Sequence, residues 1–185
     1  MAGERRVCPM TIFEVLEQEH GLIAKVLTVA DARARQVTQP GAAAEPFWAE
    51  LSSFAEEFVS RRHQAKEFKL FLYLQRKEFF PVTEFVAGFL TEHCRLAQLT
   101  KSLSISLRMI EDEAASERNF FASHFAQYIA LIRKHMFEED RFYKLVASVL
   151  EPSEQFELMT GFEKLDRETA GRSGPWAQQV ARVCV

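Results

Sequence analysis

The stretch Arg61-Arg62-His63-Gln64-Ala65-Lys66-Glu67-Phe68 returns 72 residues later as Arg133-Lys134-His135-Met136-Phe137-Glu138-Glu139-Asp140. Both copies carry two basic residues, a histidine and, four positions on, a glutamate. Residues four apart lie one above the other on a helix face, so His63 with Glu67, and His135 with Glu139, each present a nitrogen and an oxygen to a shared point. A second pair repeats at nearly the same distance: Glu19-His20 in QEHGL recurs 73 residues on as Glu92-His93 in TEHCRL. The chain therefore reads as two related halves, each with a lone histidine followed by a His-xxx-Glu pair.

Working outward, the surrounding residues are helical in pattern. Thr11 and Glu14 form a capping box with Met10 and Val15 placed as a staple around it, so a helix is expected to start there. Phe13, Leu16, Ile23, Leu27 and Ala30 follow at steps that keep one face, and His20 fills the polar slot in that seam. Gln39-Pro40-Gly41 breaks the pattern. A second helix is expected from about Glu45 to Phe79, with Pro81 ending it. A third runs from Val82 to about Ile110, its stripe of Val86, Phe89, Leu90, Leu96, Leu103 and Leu107 containing His93. After the polar EDEAASERN, a fourth from Asn119 to Leu150 carries Phe121, Tyr128, Leu131, Ile132, Phe142 and Val146 around His135.

Long helices, short connections and no strand pattern predict an all-α fold, an antiparallel up-down-up-down four-helix bundle. The 72–73 offset maps the first helix onto the third and the second onto the fourth, so the bundle is two helical hairpins. Residues 153 to 168, with Phe156, Met159, Phe162 and Leu165, read as a fifth helix laid on it. The domain organisation expected is a flexible stretch over 1–9, the bundle with its fifth helix over 10–168, and a tail over 169–185 in which Trp176 marks one more turn.

A chain of 185 residues with 48% hydrophobic residues suits one domain with a substantial core. The net charge of -3 comes without a basic block, which argues against a nucleic-acid footprint and a membrane-surface patch. Three scattered cysteines, Cys8, Cys94 and Cys184, suggest neither a disulfide framework nor a zinc–thiolate site, and a reducing compartment follows. With no apolar run of signal-peptide or membrane-spanning length, the cytoplasm is the expected location, and either a monomer or a dimer is compatible with the composition.

Pseudo-two-fold symmetry gathers four imidazoles and two carboxylates around the bundle axis. Buried carboxylates beside inward histidines are costly unless cations neutralise the group. Imidazole and carboxylate without thiolate suit iron, manganese or zinc, and carboxylates able to bridge favour a dinuclear iron or manganese centre. Glu56, Glu17 and Tyr128, one or two turns from a candidate ligand on compatible faces, are the candidates from which one could fill a vacancy or hold a ligand from behind. His124 stands eleven residues before His135, about 16 Å along a helix at about 1.5 Å per residue, too far for the same cluster. Cys94 is expected to be a small buried hydrophobe pointing away from the seam. The seventeen phenylalanines are mostly core filler, and as a dry aromatic shell they would shield the centre from water.

These residues resemble the hemerythrin-like, or HHE cation-binding, domains. The resemblance runs from about Ile12 to Val149 and is carried by EH at 19–20, HQAKEFKLF at 63–71, EH at 92–93 and HMFEEDRFYKL at 135–145. It implies a non-haem di-iron site in a four-helix bundle, with His20, His63, His93 and His135 as terminal ligands, Glu67 and Glu139 as bridging carboxylates, and an open position for dioxygen or another small ligand. Oxygen-carrying members have a second histidine four residues after the third-helix ligand. That position is Ala97 here, so the likeness is closer to members with a more open or carboxylate-richer site. The function implied is binding of, or reaction with, O2, NO or peroxide in sensing, detoxification or oxygen handling. Iron handling, as iron sensing or repair of iron–sulfur clusters, is the alternative, and oxidation of an organic substrate is a third.

Overall fold

A computed structural model describes residues 10–34, 46–77, 80–109 and 115–170. Along the chain they form α1 (Ile12–Ala34), α2 (Pro46–Ser53), a π-helical stretch (Phe54–His63), α3 (Gln64–Gln75), α4 (Phe80–Met109), α5 (Ala115–Val146) and α6 (Pro152–Ala170), with no strand among the described residues. α2, the π-helical stretch and α3 run on without a break and make the second rod of the bundle. The chain is an all-α four-helix bundle with an added C-terminal helix. The Gln39-Pro40-Gly41 break, Phe79, Ile110, the residues before Met10 and the tail with Trp176 lie outside the described residues.

Local chemistry sets the ends. The Thr11 N–H donates to Glu14 Oε2 at 2.7 Å and the Glu14 N–H donates to Thr11 Oγ1 at 3.2 Å, the reciprocal pair of a capping box. The staple does not form: Met10 is 47% exposed, and its sulfur accepts a hydrogen bond from Gln18 Nε2. α3 stops at Gln75, short of the expected end, and the Lys77 N–H turns back to the Leu74 carbonyl. Pro81 then lies in the first turn of α4, where its missing N–H costs no hydrogen bond, so it opens the next helix. α5 begins at Ala115, four residues before the expected start, with Glu117 favourably placed in its first turn.

The π-helical stretch has no counterpart in the sequence pattern. At its end the Gln64 N–H donates to the Val59 carbonyl, five residues back. It still buries Phe54, Ala55, Phe58, Val59 and His63. Wider turns keep those side chains on the core face and deliver His63 to the bundle axis, directly before regular helix resumes with Glu67.

The core falls into two apolar layers. The distal one holds Ile23, Leu27, Trp48, Phe54, Phe58, Leu96, Phe121, Phe125 and Ile132, among others. The other holds Ile12, Leu16, Leu70, Phe71, Val86, Phe89, Phe142, Tyr143 and Phe162. His20, His63, Glu67, His93, His135 and Glu139, all buried, belong to neither. α6 lies across α1, the π-helical stretch and α3. Its buried side chains are Leu158 and Phe162, whereas Phe156 is 75% exposed, so the contact stripe is rotated from the one expected through Phe156.

Candidate metal centre

Each hairpin delivers its donors from opposite faces of one polar layer. On α1 and α4 the apolar stripe turns His20 and His93 inward. On the second and fourth rods the four-residue spacing stacks His63 over Glu67 and His135 over Glu139. The result is two four-residue groups, His20–His63–Glu67–Glu139 and Glu67–His93–His135–Glu139, whose ligand atoms lie within 4.8 Å of one another in each group. Both carboxylates belong to both groups. Both are fully buried, and each faces three imidazoles, Glu67 those of His20, His63 and His93 and Glu139 those of His20, His93 and His135.

All four Nε2 atoms turn toward the carboxylates. His20 Nε2 is 3.3 Å from Glu67 Oε1 and 3.4 Å from Glu139 Oε2. His63 Nε2 is 3.1 Å from Glu67 Oε1, His93 Nε2 is 3.2 Å from Glu67 Oε2, and His135 Nε2 is 3.1 Å from Glu139 Oε1. Despite this closeness, Glu67 Oε2, His93 Nε2, His135 Nε2 and both Glu139 oxygens are buried without a hydrogen bond. Buried polar atoms that converge without bonding one another are expensive, and a cation between them removes the cost. The donor set, two nitrogens and two shared carboxylates per group, fits a pair of ions of the iron, manganese or zinc kind.

Behind the histidines stand carboxylates that hold Nδ1 and so direct Nε2 at the centre. His63 Nδ1 donates to Glu19 Oε2 at 3.0 Å, and His135 Nδ1 donates to Glu92 Oε2 at 2.8 Å. Glu19 and Glu92 are the glutamates of the repeated Glu-His pair. Each glutamate pairs in turn with the basic residue just before the histidine it holds: Arg62 is 3.6 Å from Glu19 and Lys134 is 2.7 Å from Glu92. The two repeats thus complete each other across the hairpin. His20 Nδ1 donates to Asp140 Oδ1 at 2.7 Å, and the Tyr143 hydroxyl donates to Glu67 Oε1 at 2.6 Å. Lys66, fully buried, bridges Glu19 at 2.6 Å and Asp166 of α6 at 2.8 Å.

Protons take the cation's role when no ion is bound. Burial pushes His20 down, but the carboxylates of Asp140, Glu139 and Glu67 beside it outweigh that and raise the imidazole to about 12. Burial likewise opposes His93, which Glu139 and Glu67 raise to about 10. Burial alone would raise Glu67 and Glu139, yet the facing histidines hold both below the usual carboxylate range. Burial and the charges of Glu139 and Glu67 push the Tyr143 hydroxyl well above its ordinary value, so it stays protonated.

Three further candidates stand elsewhere. Glu56 is exposed and pairs with Arg61 at 2.6 Å, because the π-helical turns rotate it off the core face. Tyr128 is buried in the distal apolar layer, where burial raises its hydroxyl and Thr100 is its partner. Glu17 is half-buried on α1 and belongs to neither four-residue group. None of the three joins the cluster. His124 sits apart as expected, its Nδ1 donating to the Phe120 carbonyl at 2.9 Å. Cys94 is exposed, since one residue past inward His93 the helix has turned about 100° toward solvent, not into packing. Ala97 is also exposed. The inward neighbour of His93 is Phe89, one turn earlier, whose ring meets His135 edge-on at 5.7 Å.

Glu19, Glu92, Asp140, Tyr143, Lys66 and Asp166 escaped the sequence reading. Glu19 and Glu92 had a signal, since their repetition beside the histidines was visible. Asp140 and Tyr143 had the reverse: 72 residues earlier stand Phe68 and Phe71, so they break the repeat.

The profile of the hemerythrin HHE cation binding domain matches residues 11–146. No curated protein and no solved structure matches the chain. The chain belongs to the hemerythrin HHE cation-binding family, and its helical bundle is built around a buried His/Glu site for metal cations.

Proposed function

We propose that this hemerythrin HHE domain holds two iron ions, one against His20 and His63 and one against His93 and His135, with Glu67 and Glu139 shared between them, and that it binds or reacts with O2, NO or peroxide. The observation that carries this reading is the sharing: two four-donor groups use the same two fully buried carboxylates. Iron bound there supplies one-electron redox chemistry and an open position for a small ligand.

The chain supplies the surroundings. Tyr143 stacks on His20 at 5.8 Å, Phe71 on His93 at 5.9 Å, and Phe89 meets His135, so aromatic rings pack against three of the four imidazoles. Tyr143 keeps a proton on its hydroxyl and aims it at Glu67 Oε1. That donor restrains Glu67. With each ring Nδ1–H of His20, His63 and His135 held by a carboxylate, three Nε2 atoms are fixed in place before an ion arrives.

The test is metal analysis of protein produced with added iron, joined to its ultraviolet–visible spectrum in air and after anaerobic exposure to nitric oxide. Two iron atoms per chain, near-ultraviolet absorption of a carboxylate-bridged ferric pair and a spectral change with nitric oxide are expected. One metal per chain, or a colourless zinc-only protein unresponsive to nitric oxide, refutes the reading.

A further inference from the structure

We infer that the two metal positions differ in retention: the His20–His63 position keeps its ion, while the His93–His135 position releases and takes up its ion first. The inference rests on the two-ion reading above and assigns a distinct role to each half of the site.

The donors of the two halves are alike, but what stands behind them is not. In the first half both imidazoles have a carboxylate at Nδ1, Asp140 for His20 at 2.7 Å and Glu19 for His63 at 3.0 Å. Glu19 is itself locked by buried Lys66, and Lys66 and Arg62 both anchor on Asp166 of α6, at 2.8 and 2.7 Å. In the second half only His135 has such a partner, Glu92, whose cation Lys134 is 56% exposed. No carboxylate meets His93 Nδ1 among the described residues; its ion-pair contacts are both through Nε2. The internal repeat explains the gap. Where the fourth rod offers Asp140 to His20, the second offers Phe68, and where it offers Tyr143 it offers Phe71, which can stack on His93 but donates no hydrogen bond.

Coverage follows the same division. α6 closes the side formed by α1, the π-helical stretch and α3. The face between α4 and α5 carries instead a groove of about 450 Å³, lined by Phe85, Phe89, Phe142, Leu145, Glu138 and Arg141. The Phe89 ring forms a wall shared by that groove and His135. A carboxylate behind a ligating imidazole fixes its orientation and raises its basicity, and losing one lowers metal affinity about 10 to 100-fold. One such carboxylate separates the halves, so a retention difference of that size is expected.

The experiment follows metal release. Protein loaded with two equivalents of cobalt(II) is mixed with excess EDTA, and loss of the metal's visible absorption is recorded over time. Two phases of one equivalent each are expected, their rates separated by about 10-fold or more. His93→Ala should lack the fast phase and keep one slowly released equivalent. Asp140→Asn should draw the slow phase toward the fast one. Phe68→Asp, at a position 47% exposed and so tolerant of the change, should slow the fast phase, which keeps the test decisive if another variant misfolds. Release of both ions in a single phase overturns the inference and leaves the two-ion reading standing. So does a fast phase that survives His93→Ala but vanishes in His63→Ala. Protein that never takes up a second equivalent overturns both.

Discussion

The ligand layer and the distal apolar layer are built from the same helical rods, one beginning a turn from where the other ends, yet they act on stability in opposite senses. In the distal layer Trp48 meets Phe121 and Phe125 edge-on at 5.2 and 5.5 Å, and every side chain gains by leaving water. In the ligand layer two carboxylates and four imidazoles leave water, and five of their atoms find no hydrogen bond in exchange. One layer stabilises the fold outright. The other is tolerated because the flanking layers hold it in place, and it becomes favourable when cations enter. Affinity for metal is therefore purchased with stability contributed by the neighbouring apolar turns.

This contrast can be broken most directly by removing a shared ligand. Glu67→Ala or Glu139→Ala takes an oxygen donor from both positions at once, and near-complete loss of bound metal is expected, from two equivalents toward none, by elemental analysis. Retention of two metals in Glu67→Ala would show that the carboxylate is not shared. A large effect on stability alone should come from the other layer. Trp48→Ala, at a residue 2% exposed, is expected to cost about 3–5 kcal/mol in chemical denaturation while the folded protein still binds its full metal complement.

Removing the metal tests the opposite sign of the ligand layer. Ions that bind only the folded state stabilise it by mass action, about 2.7 kcal/mol at 100 times Kd, so the apo protein should melt below the metal-loaded one. An equal melting temperature would place the cations off the bundle core. The apo protein should also be sensitive to alkali. His93 has its folded value raised from 6.5 to about 10, so the stability of its protonated pairing is fully present below pH 6.5 and disappears as the pH climbs toward 10. Metal-induced gain in melting temperature should thus widen across that window, because metal no longer competes with a proton on the imidazole. The smallest effect is expected outside both layers: Glu56→Ala breaks an exposed pair with Arg61 and should change metal content not at all and stability by less than about 1 kcal/mol.

Much of the site could be read from one dimension. Apolar periodicity turned His20, His93 and His135 inward, and four-residue spacing stacked each glutamate under its histidine, since both follow from the geometry of a single helix. The internal offset then paired the hairpins. Where the reading slipped, the helix was not regular or the neighbour lay on another rod. Glu56 was placed by assuming unbroken α-helical phase through residues that are π-helical, and a widened turn has no composition of its own to announce it. Cys94 was misjudged because a stripe fixes a face only to within about one residue, about 100° of rotation.

The sequence by itself determined that four amphipathic helices pack as two related hairpins, and that six nitrogen- and oxygen-bearing side chains meet inside them. Those outcomes depend on spacing along one chain segment, which sequence records directly. Only the tertiary structure decided that Glu19 and Glu92 hold the histidines of the facing helix, that Asp140 holds His20 while Tyr143 holds the shared Glu67, and that Asp166 reaches the site from a helix outside the bundle. Each of these is a contact between side chains 43 to 120 residues apart, or a chain of such contacts through Lys66. Its geometry depends on how neighbouring helices rotate and slide against each other, and that is set by the packing of the apolar layers, not by any local pattern of residues.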